Sequence, residues 1–210
     1  HAASLSTAGA DPGRRAEPIA DPVPPELLEA DIAALPPEAC LLKQGDSEVY
    51  MARFQQLPNV IREIGRGREI SFRAVGGGTL KDRDLAPQDE YYEHLFIWHR
   101  KDRAIVGAYR IGRADEIIAR HGPGGLICTG LFQFKPGFVD KLNPGLELGR
   151  SYVLPEYQRS YSSLLLLWGG IIGFIAREPK YNIVFGSVGV SQGGEYSAAS
   201  RTLIIDLLRS

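Results

Sequence analysis

Residues 146–171, LELGRSYVLPEYQRSYSSLLLLWGGI, contain a charged strand, a turn and the start of an apolar helix in close succession. The alternation of side chains predicts a strand from Leu146 to Val153. The Pro-Glu-Tyr turn then ends the strand, and a continuous apolar run predicts a helix from about Ser160 to Arg177. This strand–turn–helix unit is the part of the sequence that decides the fold.

Two opposite charges, Glu147 and Arg150, interrupt the otherwise apolar strand. Their odd spacing places them on opposite faces of a regular strand, because side chains alternate between the two faces. They can line one cleft only if the strand bulges between them. Gly149 is the position where a bulge costs least. We therefore predict a bulge near Gly149, with both charges beside the start of the following helix.

The remaining pattern predicts a single α/β (α+β) domain with a mixed central sheet flanked by helices, since a β-α-β crossover lies near the end of the chain. The predicted elements are a strand from Glu48 to Phe54, a helix from Pro58 to about Phe72, a hairpin of strands His94–His99 and Ala104–Arg113, a short helix over residues 114–121, a strand end and short helix within residues 132–142, a strand within residues 181–191, and a terminal helix with its apolar face on Leu203, Ile204, Leu207 and Leu208.

A composition shift divides the chain. Residues 1–39 are rich in Pro and Ala and predict a linker or leader with one helical patch, Glu26–Leu35. Residues 40–210 form the predicted domain.

Composition excludes several classes of protein. The formal net charge is −1 over 210 residues, so no basic field indicates nucleic-acid binding. Cys40 and Cys128 have no metal or redox spacing, and the four histidines form no metal-binding pattern. The longest apolar run, residues 164–176, is shorter than the roughly 20 residues of a membrane-spanning helix. No secretion signal is visible, so we expect a cytoplasmic protein, with the inner face of the cytoplasmic membrane as an alternative location.

Eight motifs occur in an order that resembles a known family. They are REISFRAVGGGT, YYEHLFIW, IVGAYRIGR, FKPGF, LELGRSYVLPEYQ, LLLLWGGI, FGSVGVS and EYSAASRTLI. Over roughly residues 40–208 the chain resembles the bacterial GNAT-type N-acyltransferases that are often labelled hemolysins. Their relatives include the ornithine-lipid N-acyltransferases and the N-acyl amino acid synthases.

The resemblance implies a GNAT-like fold and a specific reaction. A long-chain fatty acyl group would move from acyl carrier protein to the amino group of an amino acid such as ornithine, in aminolipid synthesis. It also implies a fused lysophospholipid-type O-acyltransferase domain in many members and a family sequence that continues beyond residue 210. No tightly bound cofactor is expected. The alternatives are a coenzyme A-dependent amine N-acyltransferase and a degenerate, non-catalytic GNAT-like binding module.

Acyl transfer to an amine requires a base for the amine proton and stabilisation of the thioester oxygen. Glu147 is the candidate base, because a carboxylate deprived of water accepts a proton more readily. Arg150 is its candidate partner or a substrate-binding residue, and a structural ion pair between the two is the alternative. His94 is a candidate for proton transfer, with a structural role as its alternative. Cys128 is interpreted as a small buried hydrophobe.

Three further residues are candidates for substrate binding. Arg68 begins REISF, which is similar to an Arg-x-x-x-Phe element of the acyl-homoserine-lactone synthases. The acidic stretch DLAPQD keeps Asp84 and Asp89, whereas Ala86 stands where the family has a second aspartate. The two aspartates would pair with Arg68 or bind a cationic amine. The alternative is a solvated loop.

The turn before the long helix lies where GNAT proteins bind the phosphate of their donor. The candidate residues are Arg159, Ser160, Ser162 and Ser163, which occur in place of the usual glycines. A glycine-poor loop favours the single phosphate of acyl carrier protein over coenzyme A, although a serine-capped helix start is the alternative. Gly169, Gly170 and Gly173 would leave room for an acyl-chain tunnel, unless they serve core packing.

Overall fold

The computed structural model describes residues 15–159, 162–187 and 197–209. Its centre is a six-stranded sheet in which spatial order follows chain order. The strands are β1 (Cys40–Gln44), β2 (Ser47–Arg53), β3 (Glu93–His99), β4 (Ala104–Arg113), β5 (Leu146–Val153) and β6 (Val184–Phe185). Strands β1 to β5 are antiparallel, and β6 pairs parallel to β5. The mixed α/β fold predicted from the sequence is confirmed.

Helices cover both faces of this sheet. They are α1 (Pro25–Ala33), α2 (Val60–Ala74), α3 (Ala114–His121), α4 (Ile127–Leu131), α5 (Phe138–Lys141), α6 (Ser162–Arg177) and α7 (Ala198–Arg209). Within the described ranges, no helix is long and apolar enough to cross a membrane.

The period-2 pattern of the strands explains the two core layers. In β2, Val49 and Met51 pack on the α6 side, whereas Tyr50 and Ala52 pack on the α2 side. Because neighbouring strands keep the same alternation, each face of the sheet presents a continuous apolar surface to its helix. A third, smaller cluster around Tyr92 joins α3 to the sheet.

Residues 15–39, which the sequence places in a linker, pack onto this domain. Val23 and Leu28 are buried in the α2-side core. Asp31 accepts hydrogen bonds from the backbone N–H groups of Asn59 and Val60, at 2.7 and 2.8 Å. It thereby satisfies free donors at the first turn of α2, where a cap is needed.

The predicted bulge is present in β5. The register runs from Arg110 opposite Gly149 to Ala108 opposite Tyr152. Arg150 and Ser151 therefore face a single residue of β4 and form the bulge. The left-handed conformation falls on Arg150, at φ 51°, and not on Gly149. A non-glycine residue in this region costs roughly 1 kcal/mol or more, so its side chain must be held by other contacts.

Gly170 of α6 serves packing. A Cβ atom on Gly170 would lie 2.6 Å from Cγ1 of Val49, so the helix approaches β2 closely only because this side chain is absent. The prediction of a tunnel at Gly170 is therefore wrong, and the core-packing alternative is correct there. The outer face of α6 instead exposes Leu165 and Ile172.

Other sequence-based predictions differ in detail. The strand β1 was absent from them, and residues 132–137 form coil in place of the predicted strand end. The predicted strand within residues 181–191 is described only as Val184–Phe185, because residues 188–191 lie outside the described ranges. In α7 the predicted apolar face is open to solvent at Leu203 and Leu207.

Candidate active site

A cavity of about 650 Å³, here called the central pocket, opens beside the bulge between β4 and β5. Its polar and aromatic lining includes Phe72, Tyr92, Arg110, Glu147, Arg150 and Ser151. Both charged residues of the opening strand thus line one cleft, as the sequence predicts. The bulge is the physical reason, because it changes the side-chain alternation between Glu147 and the end of the strand.

Glu147 is buried, with only 3% of its surface exposed, and is held by three donors. The phenol of Tyr92 donates a short hydrogen bond to it. The backbone N–H groups of Ile127 and Cys128, at the start of α4, donate at 3.0 and 2.6 Å. Burial, followed by the neighbouring Glu147 carboxylate, raises the pKa of Tyr92, so its phenol remains a donor. The carboxylate is therefore fixed in position at the pocket wall.

Arg150 does not pair with Glu147, so the alternative of a structural ion pair between them is wrong. Its Nη1 atom lies 3.3 Å from Oδ2 of Asp84, and its guanidinium lies over the ring of Phe72, 5.6 Å from the centroid. Asp84 is buried, and this burial raises its pKa, although the charge of Arg150 opposes the shift. These contacts fix the side chain that the left-handed backbone directs into the cleft.

Arg68 and Asp89 form a buried ion pair beneath the pocket. Their closest atoms are 2.7 Å apart, and both side chains are at most 1% exposed. Asp89 also accepts a hydrogen bond from the backbone N–H of Ala86 and lies 3.4 Å from Arg110. Burial works to raise the pKa of Asp89, but the two guanidinium groups outweigh it and lower that pKa. The pairing predicted for Asp89 and Arg68 is confirmed, and the solvated-loop alternative is wrong.

His94 lies behind this ion pair, away from the lining of the central pocket. The side chain is fully buried. Its Nε2 atom is 2.9 Å from the carbonyl oxygen of Asp89, and its Nδ1 atom is 3.4 Å from Nη2 of Arg68. Burial and the charge of Arg68 lower the pKa of His94 to about 4. The imidazole is therefore neutral, with Nε2–H as the donor and Nδ1 as the acceptor.

The neutral state of His94 should make the free energy of unfolding depend on pH. Histidine in an unfolded chain has a pKa of about 6.5, whereas the pKa of His94 in the folded protein is lower. Because the folded pKa is depressed, the contribution of His94 to the free energy of unfolding is fully present above pH ~6.5. It is lost as the pH falls towards 4. The difference between the unfolded and folded pKa values corresponds to about 3 kcal/mol in the free energy of unfolding.

Urea unfolding of the wild type and of His94→Gln at pH 7.5 and 4.5 measures this contribution. The variant should be less stable at the higher pH and should lose most of the pH dependence. His121→Gln, at an exposed histidine, serves as the control and should keep the dependence of the wild type. An unchanged pH dependence in His94→Gln would contradict the neutral buried imidazole.

Two side chains of the site were missed in the sequence. Arg110 interrupts the apolar strand IVGAYRIGR, as Glu147 interrupts its own strand, and the same reasoning could have found it. Tyr92 had no such signal, because nothing local indicates that its hydroxyl reaches Glu147. A Cβ atom on Gly112 would collide with the Tyr92 ring, so that glycine makes room for the contact.

A second cavity lies at the start of α6, where Arg159, Ser162 and Ser163 are candidates for phosphate binding. This apolar groove, of about 390 Å³, is lined by Ser151, Gln158, Leu164 and Leu167 among others. Ser151 and Phe72 line both the groove and the central pocket, so the two cavities adjoin.

The four phosphate-binding candidates are not equivalent in the structure. Arg159 and Ser162 are exposed near the start of α6, whereas Ser163 is buried. Ser160 lies outside the described residues.

Cys128 lies next to Glu147 at the start of α4. Cys128 is buried, and burial together with Glu147 raises the pKa of its thiol to about 12. The thiol is therefore protonated at neutral pH, and the backbone N–H of Cys128 donates a hydrogen bond to Glu147. Among the residues described, no cluster of His, Cys, Asp or Glu could hold a metal ion.

The mixed six-stranded sheet flanked by helices, with a bulge between two central strands, agrees with the GNAT fold. Residues 68–168 match the family model described as an acetyltransferase (GNAT) domain. Residues 68–168 therefore form a GNAT acetyltransferase domain.

Two similar proteins are named glycine N(alpha)-acyltransferases. The chain is 34% identical, over 186 residues, to a glycine N(alpha)-acyltransferase of Phocaeicola vulgatus, covering 82% of this chain and 56% of that protein. It is 31% identical over 207 residues to a protein of the same name from Bacteroides thetaiotaomicron, covering 92% of this chain and 60% of that protein.

A third relative acts on a different amino acid. An L-ornithine N(alpha)-acyltransferase of Agrobacterium fabrum is 30% identical over 110 residues, covering 49% of this chain and 36% of that protein. The chain spans less than two thirds of the length of each of these relatives.

Proposed function

We propose that the protein is an N-acyltransferase that moves a long-chain acyl group from a thioester to the α-amino group of an amino acid. One observation carries the proposal: the buried, fixed carboxylate of Glu147 lines a polar pocket that adjoins an apolar groove. An acyl thioester in the groove and an amine in the pocket would meet at the bulge. The names of the relatives support the same reaction class.

The proposed reaction needs no covalent enzyme intermediate. The amine nitrogen attacks the thioester carbonyl carbon, the new C–N bond forms, and the C–S bond breaks with the sulfur leaving as a thiolate. The amine proton passes to Glu147, directly or through a water molecule. Oε2 of Glu147 accepts from Tyr92 and Ile127, whereas Oε1 accepts only from Cys128 within the described contacts. A carboxylate oxygen can accept two hydrogen bonds, so Oε1 is the candidate atom for the proton.

Arg150 and Arg68 have separate proposed roles. Arg150 lines the pocket and binds the acceptor, since its side chain is half exposed there. Arg68, Asp89 and His94 support the pocket from below, and Asp84 holds Arg150. The family departure at Ala86 leaves this support intact, because the backbone N–H of Ala86 still donates to Asp89.

The proposed donor is acyl carrier protein, with acyl coenzyme A as the alternative. Arg159 and Ser162 near the start of α6 are exposed, and one phosphate could reach both side chains. Such a donor places the protein in the cytoplasm, in aminolipid synthesis, with the membrane surface and a fused O-acyltransferase domain as further proposed partners. No nucleic acid takes part in this proposal.

The acceptor that the pocket favours is a neutral amino acid such as glycine. Glu147 is the only acidic residue in the described lining of the central pocket. If it receives the α-amino group, a second ammonium group on the acceptor has no anionic partner among those residues. An unpaired ammonium group loses part of its hydration on binding, so ornithine should be the poorer acceptor.

Mass spectrometry of the products tests the proposal. The protein is incubated with acyl carrier protein or coenzyme A carrying the same acyl chain, and with glycine or ornithine. We expect N-acylglycine, formed faster from the carrier-protein donor. A folded protein that forms no N-acyl amino acid from any combination would contradict the function and favour a non-catalytic module. Turnover with acyl coenzyme A alone would contradict only the donor.

A further inference from the structure

Arg110 is the least neutralised cation of the central pocket. Its side chain is 5% exposed, and its closest anionic contact is Asp89, at a long 3.4 Å. Its Nε atom has no hydrogen-bond partner within the described chain. The ring of Tyr92 covers one side of the guanidinium, 5.3 Å from the centroid. A buried guanidinium usually has a close anionic partner, so this one is poised for a further ligand.

The charges of the site show what kind of ligand is missing. Arg68 already neutralises Asp89 at 2.7 Å, and Arg150 lies against Asp84. Arg110 therefore remains as an excess positive charge. Glu147 has no cationic partner closer than 4 Å among the described ion pairs and is the excess negative charge. The pocket thus carries one unmatched charge of each sign.

Sheet register places the two unmatched charges on the same face. Arg110 lies opposite Gly149, and Glu147 lies opposite Gly112. The two charged residues are therefore diagonal neighbours, with Cβ atoms roughly 7 Å apart. A Cβ atom on Gly149 would meet nothing within 4 Å, so the space beside both charges is open. A small zwitterion, hydrogen-bonded at both ends, can bridge that span.

We propose that Arg110, assisted by Arg150 at the rim, binds the carboxylate of a zwitterionic α-amino acid whose amine faces Glu147. The inference rests on the proposed function and adds the group that selects the acceptor. A planar guanidinium binds a carboxylate through two parallel hydrogen bonds, which fixes the orientation of the acceptor as well as its charge. Simple amines without a carboxylate lose this contact and are poor acceptors.

Glycine and glycinamide, which differ only in the acceptor's carboxylate, test the proposal in steady-state kinetics. Arg110→Gln should raise the KM for glycine by about 10- to 100-fold, the range expected for a hydrogen bond to a charged group. The effect on glycinamide should be at least about tenfold smaller, because that acceptor carries no charge for Arg110. Arg110→Lys should fall between the wild type and Arg110→Gln, since it keeps the charge and loses the paired geometry.

Controls separate recognition from structure. Arg100→Gln, at an exposed arginine in the β3–β4 turn, should leave the KM values for both acceptors unchanged. Arg150→Gln, at the partly exposed rim, should also raise the KM for glycine, but by a smaller factor. This variant provides the test if Arg110→Gln fails to fold. Equal losses for glycine and glycinamide in the folded variants would overturn the proposal, because they indicate only a supporting role.

Calorimetric binding of glycine makes the result independent of turnover. Wild-type protein should bind glycine, and Arg110→Gln should bind it at least about tenfold more weakly. If no acyl transfer is detected, the proposed function fails while this binding difference still supports the carboxylate site. Absence of glycine binding by the wild type, or equal binding by both proteins, would overturn the inference.

Discussion

Replacing Glu147 with glutamine is expected to lower the turnover of amine acylation by about 10²- to 10⁴-fold, the usual contribution of a general base. Glutamine has nearly the same shape but cannot accept the amine proton. The carboxylate is buried and fixed by Tyr92 and by the start of α4, so no solvent base can easily reach the same position.

The pH dependence distinguishes a base from a structural residue. The deficit of Glu147→Gln should shrink as the pH approaches the pKa of the acceptor amine, because a deprotonated amine needs less help. Glutamine also turns one N–H towards a backbone donor, which should cost about 1–3 kcal/mol of stability, and a thermal melt measures that loss separately. Glu156→Gln, at an exposed glutamate after β5, is the matched control and should keep full turnover. Wild-type turnover in Glu147→Gln would exclude the proposed base.

Replacing Asp89 with asparagine should lower the free energy of unfolding by about 3–5 kcal/mol, because it leaves a buried charge without its partner. Arg68 is fully buried, and its other described contact is the imidazole of His94. Arg110 would lose its only ion-pair contact among the described residues as well. Denaturation in urea measures this loss.

Asp82→Asn is the matched control for this substitution. Asp82 pairs with Arg83 at a half-exposed site, where an ion pair contributes about 0–1 kcal/mol. A loss in Asp89→Asn no larger than that of Asp82→Asn would show that the buried pair does not stabilise the fold.

Below neutral pH, the free energy of unfolding should decrease in two separate pH windows. The lowered pKa of Asp89 means that its contribution is present above the unfolded value of about 3.9 and is lost as the pH falls below it. The contribution of His94 is lost at higher pH, between about 6.5 and 4. Asp89→Asn should therefore reduce the loss in the lower window, to which Glu48, Glu69 and Asp115 also contribute because burial, which would raise their pKa values, is outweighed by hydrogen bonds that lower them. His94→Gln should remove the upper window.

Local patterns predicted much of the fold. The strand limits Ala104–Arg113 and Leu146–Val153 match the structure, because alternation and turn residues are properties of adjacent positions. The short helix ending at Gly122 was also correct, and this glycine has φ 69°. The strand β1 was missed because only residues 48–54 of that stretch were interpreted as a strand, and the turn at Gly45 was not recognised.

The bulge shows where sequence reasoning reached part of the answer. The odd spacing of Glu147 and Arg150 required it, and Gly149 appeared to be the natural place. The structure puts the left-handed backbone on Arg150, where the contacts with Asp84 and Phe72 hold the side chain. Those partners lie far away in the chain, so spacing alone could not reveal them.

The sequence by itself determined the charged strand, the turn, the apolar helix and the resemblance to GNAT-type N-acyltransferases. Only the tertiary structure decided which charges meet. It separated Glu147 from Arg150, placed Arg110 beside the pocket, and brought the hydroxyl of Tyr92 to the carboxylate. The physical reason is that secondary structure follows from neighbouring residues, whereas the pairing of buried charges depends on strand register and on the residue where β5 bulges.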